Sequence, residues 1–202
     1  MSRKIPVQSY YDPITKTISH QTIISSSTNP EVAAYSNIMG AKQPELLVEI
    51  MKDEDGENVG IVPTRGHPTD AGLDIYAAED SYLAPIDGAI CEGRRERLDT
   101  HRVTIGTGIK VQIPPGMCLL LWDRSGLSAK HGLHRVAGVI DSSYRGEIKI
   151  ALVNLSHISH HIKRGDRIAQ AILSPMILPS VKVVGSLSSS GRGEGGFGST
   201  GR

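Results

Sequence analysis

The sequence predicts an all-β fold, a sandwich or barrel, and three observations carry that expectation. Apolar and polar residues alternate with period two in several short stretches, turn residues punctuate the chain between them, and only one brief segment has helical spacing. The clearest alternation is "RVTIGTGIKVQI". Val103, Ile105, Ile109, Val111 and Ile113 fall on odd positions, while Arg102, Thr104, Lys110 and Gln112 fall on even ones. A strand with that pattern buries one face, and Pro114-Pro115-Gly116 ends it. "GEIKIALVNL" repeats the pattern, with Ile148, Ile150 and Leu152 opposed to Glu147 and Lys149. "RIAQAIL" and "VKVV" add two more candidate strands. The helical exception is "SGLSAKHGL", which Gly132 should end early.

The 202 residues suit one domain with appendages. Residues 1–45 are rich in Ser, Thr and Asn and show no sustained period, so they read as an N-terminal extension, flexible or partly ordered against the main body. From "LLVEIM" (46–51) the texture changes to short apolar runs, and a β domain spans 46–188. Within it "PIDGAICEGRRERLDT" (85–100) is charged and irregular, an inserted surface loop. Residues 189–202 form a glycine-rich arm. A formal charge of +1 gives no reason to expect a nucleic-acid or membrane partner. Cys91 and Cys118 form no CxxC pair, so neither a disulfide framework nor a zinc site is indicated. No apolar run approaches a membrane span, and Arg3 and Lys4 are not followed by the apolar stretch of a signal peptide. A cytoplasmic location is the resulting expectation.

Polar residues concentrate in five stretches. "TDAGLDIYA" sets Asp74 between apolar neighbours, and "WDRSGLSAKHG" places Arg124, Ser125 and Gly126 at the start of the helix. "AGVIDSSYRGEI" reads as a hairpin, two apolar strands joined through Asp141-Ser142-Ser143-Tyr144. "KRGDRIAQ" carries Asp166, Arg167 and Gln170. Taken singly, each has a structural explanation: Asp141 as a turn residue capping its own backbone, Arg124 and Ser125 as a helix start, Asp166 and Arg167 as a turn with a local ion pair. Together they suit phosphoanhydride hydrolysis. Arg and Ser at a helix start favour an anion, Gln170 is a further donor, and Asp141 is a carboxylate able to activate water.

The fifth stretch, "GRGEGGFGSTGR" (191–202), holds six glycines in twelve residues. It matches G-x-G-x-x-G through Gly193, Gly195 and Gly198, but the strand before and helix after that a dinucleotide fingerprint needs are missing. A Walker loop is excluded because the chain has no Gly-Lys dipeptide. What remains is a run of amides with Arg192, Ser199 and Thr200 beside them, suited to wrapping phosphate.

In this order, "AGLDIYA", "RSGLSAKHG", "AGVIDSSYRGEI", "RGDRIAQ" and "RGEGGFGSTG" resemble the five motifs of the trimeric deoxyuridine triphosphate nucleotidohydrolases, the dUTPases, over roughly residues 46–201. The resemblance implies a jelly-roll-like β fold, a homotrimer with a swapped C-terminal arm, and active sites shared by three subunits. The reaction implied is hydrolysis of dUTP to dUMP and diphosphate, which lowers dUTP and supplies dUMP for dTMP synthesis. Asp141 would activate the water. Main-chain groups around Gly138 and Tyr144 would read uracil, and the Tyr144 ring would exclude a ribose 2′-hydroxyl. Arg124, Ser125, Gly126 and Gln170 would hold phosphates. The arm would close as a lid, with Phe197 stacked on uracil and Arg192, Gly198, Ser199 and Thr200 around the phosphates. Mg²⁺ would ride on the triphosphate and waters, without direct protein ligands. Asp74 and Asp166 would support the site.

Many members of that family place Ala-Pro before Arg-Ser-Gly, whereas Trp122-Asp123 stand here. A carboxylate at that point is expected to turn away or pair with a cation. His157, His160 and His161 in "SHISHH" read as a solvated loop in preference to a metal site. A dCTP deaminase of the same fold is the nearest enzyme alternative, disfavoured by Tyr144 and the "GGFGSTG" arm. Zinc deaminases are excluded because neither H-x-E nor P-C-x-x-C occurs. A nucleotide-dependent regulatory or binding protein that retains the fold is the alternative from another class.

Overall fold

A computed structural model describes residues 44–86 and 101–195, together with the backbone of strands at 7–12 and 17–22. Phe197, Gly198, Ser199 and Thr200 lie outside the described residues, as does nearly all of the 85–100 loop. Within the 1–45 extension, β1 (Val7–Asp12) and β2 (Thr17–Thr22) form an antiparallel ladder from Val7↔Thr22 to Asp12↔Thr17.

The β domain is built from two four-stranded antiparallel sheets. The first has the order β3-β6-β10-β8, made of β3 (Leu47–Ile50), β6 (Arg102–Gln112), β10 (Glu147–Asn154) and β8 (Leu133–Val136). The second has the order β4-β12-β7-β9, made of β4 (Leu73–Tyr76), β12 (Arg167–Pro175), β7 (Met117–Trp122) and β9 (Val139–Ile140). A short pair, β5 (Ser81–Leu83) with β11 (His160–Ile162), completes the domain. Strands adjacent in space are mostly distant in sequence, in keeping with a jelly-roll-like sandwich. The single helix among the described residues, α1 (Ser125–His131), connects β7 to β8 and so passes from one sheet to the other. That helix is far too short to cross a membrane, and no described helix is long and apolar enough to do so.

The alternation read in the sequence is the packing of the core. Ile105, Ile109, Val111 and Ile113 from β6 and the chain just beyond it, and Ile148, Ile150 and Leu152 from β10, are all buried in one cluster. They meet Ile75, Leu119, Leu121, Ile168 and Ala169 of the second sheet. Burying one such side chain contributes roughly 1.5–3 kcal/mol. The alternation conceals one irregularity. Between Glu147↔Lys110 and Lys149↔Gly106, β6 carries more residues than β10 opposes, which is a bulge. The amides freed there donate to carboxylates, Gly106 to Glu79 Oε1 and Gly108 to Glu147 Oε1, both at 2.9 Å.

Two expectations are corrected. "VKVV" (181–184) is not a strand: the segment runs without a pairing partner, and Ile177, Val181, Val183 and Leu187 are almost wholly exposed. A strand needs a neighbouring edge, and the described residues of one chain offer this segment none. "SHISHH" is not wholly a loop either, since His160 and His161 begin β11 and pair with Leu83 and Tyr82.

Candidate active site

The helix ends where Gly132 takes a left-handed backbone (φ 66°), its amide bonding to the Leu127 and Ser128 carbonyls. At the other end Arg124 is the N-cap residue, and no side chain caps the first turn. The first-turn amides therefore remain without intrahelical acceptors. Ser125 and Gly126 are exposed, and a Cβ added to Gly126 would meet nothing within 4 Å, so backbone is open to solvent there.

Asp74 gathers the cations beside that opening. Its Oδ1 accepts from Arg124 Nε at 2.8 Å and its Oδ2 from Arg167 Nη1 at 3.1 Å, while Arg124 Nη1 also donates to the Arg167 carbonyl at 3.3 Å. The Asp74 side chain is only 14% exposed. One carboxylate thus orients two guanidiniums and leaves the cluster with a surplus positive charge. Arg124 and Arg167 line a cavity of about 350 Å³ with Asp166, His131, His160 and His161. Within it the His131 and His160 rings meet edge to face, centroids 5.5 Å apart. Burial, and then the charge of His131, hold the His160 imidazole below the ordinary histidine range, against a backbone hydrogen bond with His131 that raises it. This histidine pair was invisible in sequence, because 29 positions separate two residues that share no motif.

Gln170 pairs with Asp74 on one side and Trp122 on the other, and its Nε2 donates to the Asp123 carbonyl at 2.8 Å. One amide hydrogen is therefore committed within the chain, and the second stays available. Asp123, the unexpected carboxylate, pairs with a cation-forming group: its Oδ2 lies 2.5 Å from His134 Nδ1, and its Oδ1 accepts the Arg135 amide at 2.8 Å. Asp166 closes its own turn, its Oδ2 accepting the Lys163 amide at 2.8 Å while its carbonyl accepts the Ala77 amide at 2.9 Å.

The expected hairpin around Asp141 is not a single ladder. β9 pairs with β7, through Leu119↔Ile140 and Leu120↔Val139, whereas β10 pairs with β6 and β8 in the other sheet. Ala137 (φ 67°) and Gly138 (φ 151°) make the sharp turn onto β7, where the Gly138 carbonyl accepts the Leu121 amide at 2.7 Å. Any side chain at Gly138 would also strike Arg135 Nη1 and the Leu121 carbonyl, at 2.6 and 2.9 Å. After Ile140 the chain crosses between sheets, and that crossing turn carries Asp141 and Tyr144. Tyr144 is anchored, its hydroxyl donating to the Glu147 carbonyl at 2.9 Å and its ring lying so close over Gly146 that a Cβ there would sit 2.5 Å from the hydroxyl oxygen. Arg145 Nη1 ties the turn to the Ser142 and Tyr144 carbonyls, both at 2.7 Å. Asp141 gives its carbonyl to the Tyr144 amide at 3.1 Å. Its carboxylate is exposed and has no partner among the described residues.

The register also separates these two halves. Asp141 follows Ile140, which faces Leu119, while Arg124 lies beyond Trp122 at the other end of β7. At about 3.3 Å per residue, six residues of register put the two on the order of 20 Å apart along the strand. One chain does not bring Asp141 to Arg124. Arg192 stands apart from both, its Nε donating to the Gly195 carbonyl at 2.7 Å within the arm.

The sequence profile of the dUTPase family matches residues 58–201. The chain belongs to the dUTPase family. It is 43% identical over 139 residues to the deoxyuridine 5′-triphosphate nucleotidohydrolase of Paramecium bursaria Chlorella virus 1, covering 69% of this chain and 89% of that one. Among solved structures, a variant dUTPase of Staphylococcus bacteriophage 80alpha with dUpNHpp superposes with a TM-score of 0.64 at 30% identity, over 79% of this chain and all of that one. A variant dUTPase from phage phi11 of S. aureus, which coordinates a structural Mg(II) ion, superposes with a TM-score of 0.57 at 27% identity, over 70% of this chain and 97% of that one. As a dUTPase-family chain, it carries the Arg124–Asp74–Arg167 cluster and the Asp141 turn toward opposite ends of β7.

Proposed function

We propose that this chain hydrolyses dUTP to dUMP and diphosphate, with Asp141 as the base. The observation that carries the reading is the exposed carboxylate of Asp141, without a partner among the described residues, in a turn tied by Tyr144 and Arg145. A proton leaves the attacking water for Asp141, the water oxygen bonds to phosphorus, and the α–β phosphoanhydride bond breaks to release diphosphate. Main-chain groups from Gly138 onward read the uracil edge, and the anchored Tyr144 ring blocks a 2′-hydroxyl. Arg124, the open amides at Ser125 and Gly126, and the second amide hydrogen of Gln170 take the phosphates, oriented by Asp74. Asp166 supports the site by shaping the turn that precedes Arg167.

The distance between Asp141 and Arg124 within one chain favours a homotrimer in which neighbouring subunits complete each site. The exposed apolar side chains of 176–188 favour a swapped arm that covers them on a neighbour. Arg192, Phe197, Gly198, Ser199 and Thr200 then close over substrate, and water is excluded. In this reading the domain boundaries are 1–45, 46–188 and 189–202, and the compartment is the cytoplasm.

Mg²⁺ fits as a passenger of the triphosphate. Among the described residues no group of three His, Cys, Asp or Glu side chains is placed to hold a metal ion, and Asp141 is a solitary carboxylate. The ion would withdraw charge from the phosphate oxygens, and the side chains nearest its carrier are Arg124 and Gln170. Incubation with dUTP, dCTP and UTP in the presence of Mg²⁺, with the products identified, tests the assignment. Formation of dUMP and diphosphate from dUTP is expected, and release of ammonia from dCTP would replace the reading with a deaminase.

A further inference from the structure

We propose that Asp123 is a positioning residue for the phosphate side of the site, tying the two ends of the connection that carries Arg124, Ser125 and Gly126 and holding Gln170 at its mouth. Two side-chain bonds and one main-chain bond carry the inference. The Asp123 carboxylate accepts the Arg135 amide at 2.8 Å and meets His134 Nδ1 at 2.5 Å, while the main-chain carbonyl of the same residue accepts Gln170 Nε2 at 2.8 Å.

Their placement gives them leverage. β7 ends at Trp122 in one sheet and β8 begins at Leu133 in the other, so residues 123–132 bridge two layers. Asp123 opens that bridge, and its partners His134 and Arg135 lie just past its far end. The preceding residue reinforces the tie, since the Arg135 guanidinium sits 5.4 Å from the centre of the Trp122 ring. The helix needs such a tie. It has no fully buried residue and no side-chain N-cap, and Leu127 only partly packs on the core. Without the Asp123 carboxylate the first turn would be held by the bonds of Arg124 to Asp74 and to the Arg167 carbonyl, and the main-chain carbonyl of residue 123, which orients the Gln170 amide, would no longer be fixed by the tie to His134 and Arg135.

The inference rests on the reading that Arg124 and Gln170 bind phosphates, so the experiment includes Arg124→Ala as a reference. Steady-state kinetics with dUTP and Mg²⁺ are measured for that variant, for Asp123→Ala and for Asp123→Asn, alongside thermal unfolding. Asp123→Ala should raise KM about tenfold while kcat falls less than about threefold, the pattern of lost binding orientation. Asp123→Asn keeps an acceptor for the Arg135 amide and should recover most of that loss. If Arg124→Ala leaves KM unchanged, the phosphate assignment beneath the proposal fails. If Arg124→Ala raises KM and Asp123→Ala lowers only the melting temperature, Asp123 merely supports the fold and the proposal is overturned. Should Asp123→Ala not fold, His134→Ala removes one tie alone, and a wild-type KM in that variant overturns the proposal equally.

Discussion

Asp74 lies on the second sheet and Asp141 in the turn that leaves it, toward opposite ends of β7, and the surroundings of these two carboxylates are opposites. Asp74 is largely buried and gives each oxygen to an arginine, while Asp141 is exposed and gives its carboxylate to nothing described. A carboxylate that is satisfied within the fold orients its partners. One left unsatisfied in a rigid turn is available to a substrate or a water. The contrast sets an orienting carboxylate beside an available one without reference to motif order.

The largest effect is expected at Asp141. Asp141→Asn should cut kcat by at least about 10²-fold while fold and nucleotide binding persist, as loss of a general base requires. Turnover near wild type would remove the contrast altogether. At Asp74 the effect should be mixed. Asp74→Ala leaves Arg124 and Arg167 without their shared acceptor, so stability should fall by about 1–3 kcal/mol and KM should rise with it. Chemical denaturation and kinetics on the same preparation check both, and a rise in KM with unchanged stability would place Asp74 among the substrate contacts. Tyr144→Ala should act on selectivity more than on stability, since the ring is 44% exposed. Removing its steric block should narrow the dUTP-to-UTP ratio of kcat/KM, and an unchanged ratio would assign the ring another task.

The smallest effect concerns acid. Because His160 is held below its ordinary range, the unfolded chain binds more protons than the folded one as pH falls through the ordinary histidine value. Stability should therefore decline over that interval and level off once the folded form is also protonated. His160→Gln should flatten this decline, measurable as urea midpoints compared between about pH 7.5 and 5.5.

Much of this was legible in the sequence, for a physical reason. β6 and β10 are long enough for period-two alternation to be unambiguous, β12 is legible as an apolar run, and Gly132 terminates α1 as its left-handed backbone allows. Strands of two to four residues, such as β5, β9 and β11, contain too little period to be seen. The turn at 141–146 joins two apolar runs as a hairpin would, and only long-range pairing reveals that the runs belong to different sheets. Polar side chains were visible as residue types but not as partnerships. Asp74 finds its arginines 50 and 93 positions away, and Asp123 finds its histidine across a helix. The "VKVV" segment failed for the opposite reason, since its composition suits a strand that a lone chain gives it no means to form.

That segment has a bearing on handling the protein. Ile177, Val181, Val183 and Leu187 form a sticky ribbon on an isolated chain, attractive to proteases and to other unfolded chains alike. If neighbours shelter it, survival becomes a matter of mass action. Dilute solutions should melt at lower temperature than concentrated ones, and losses on storage should begin with subunits drifting apart before any β-sandwich unfolds.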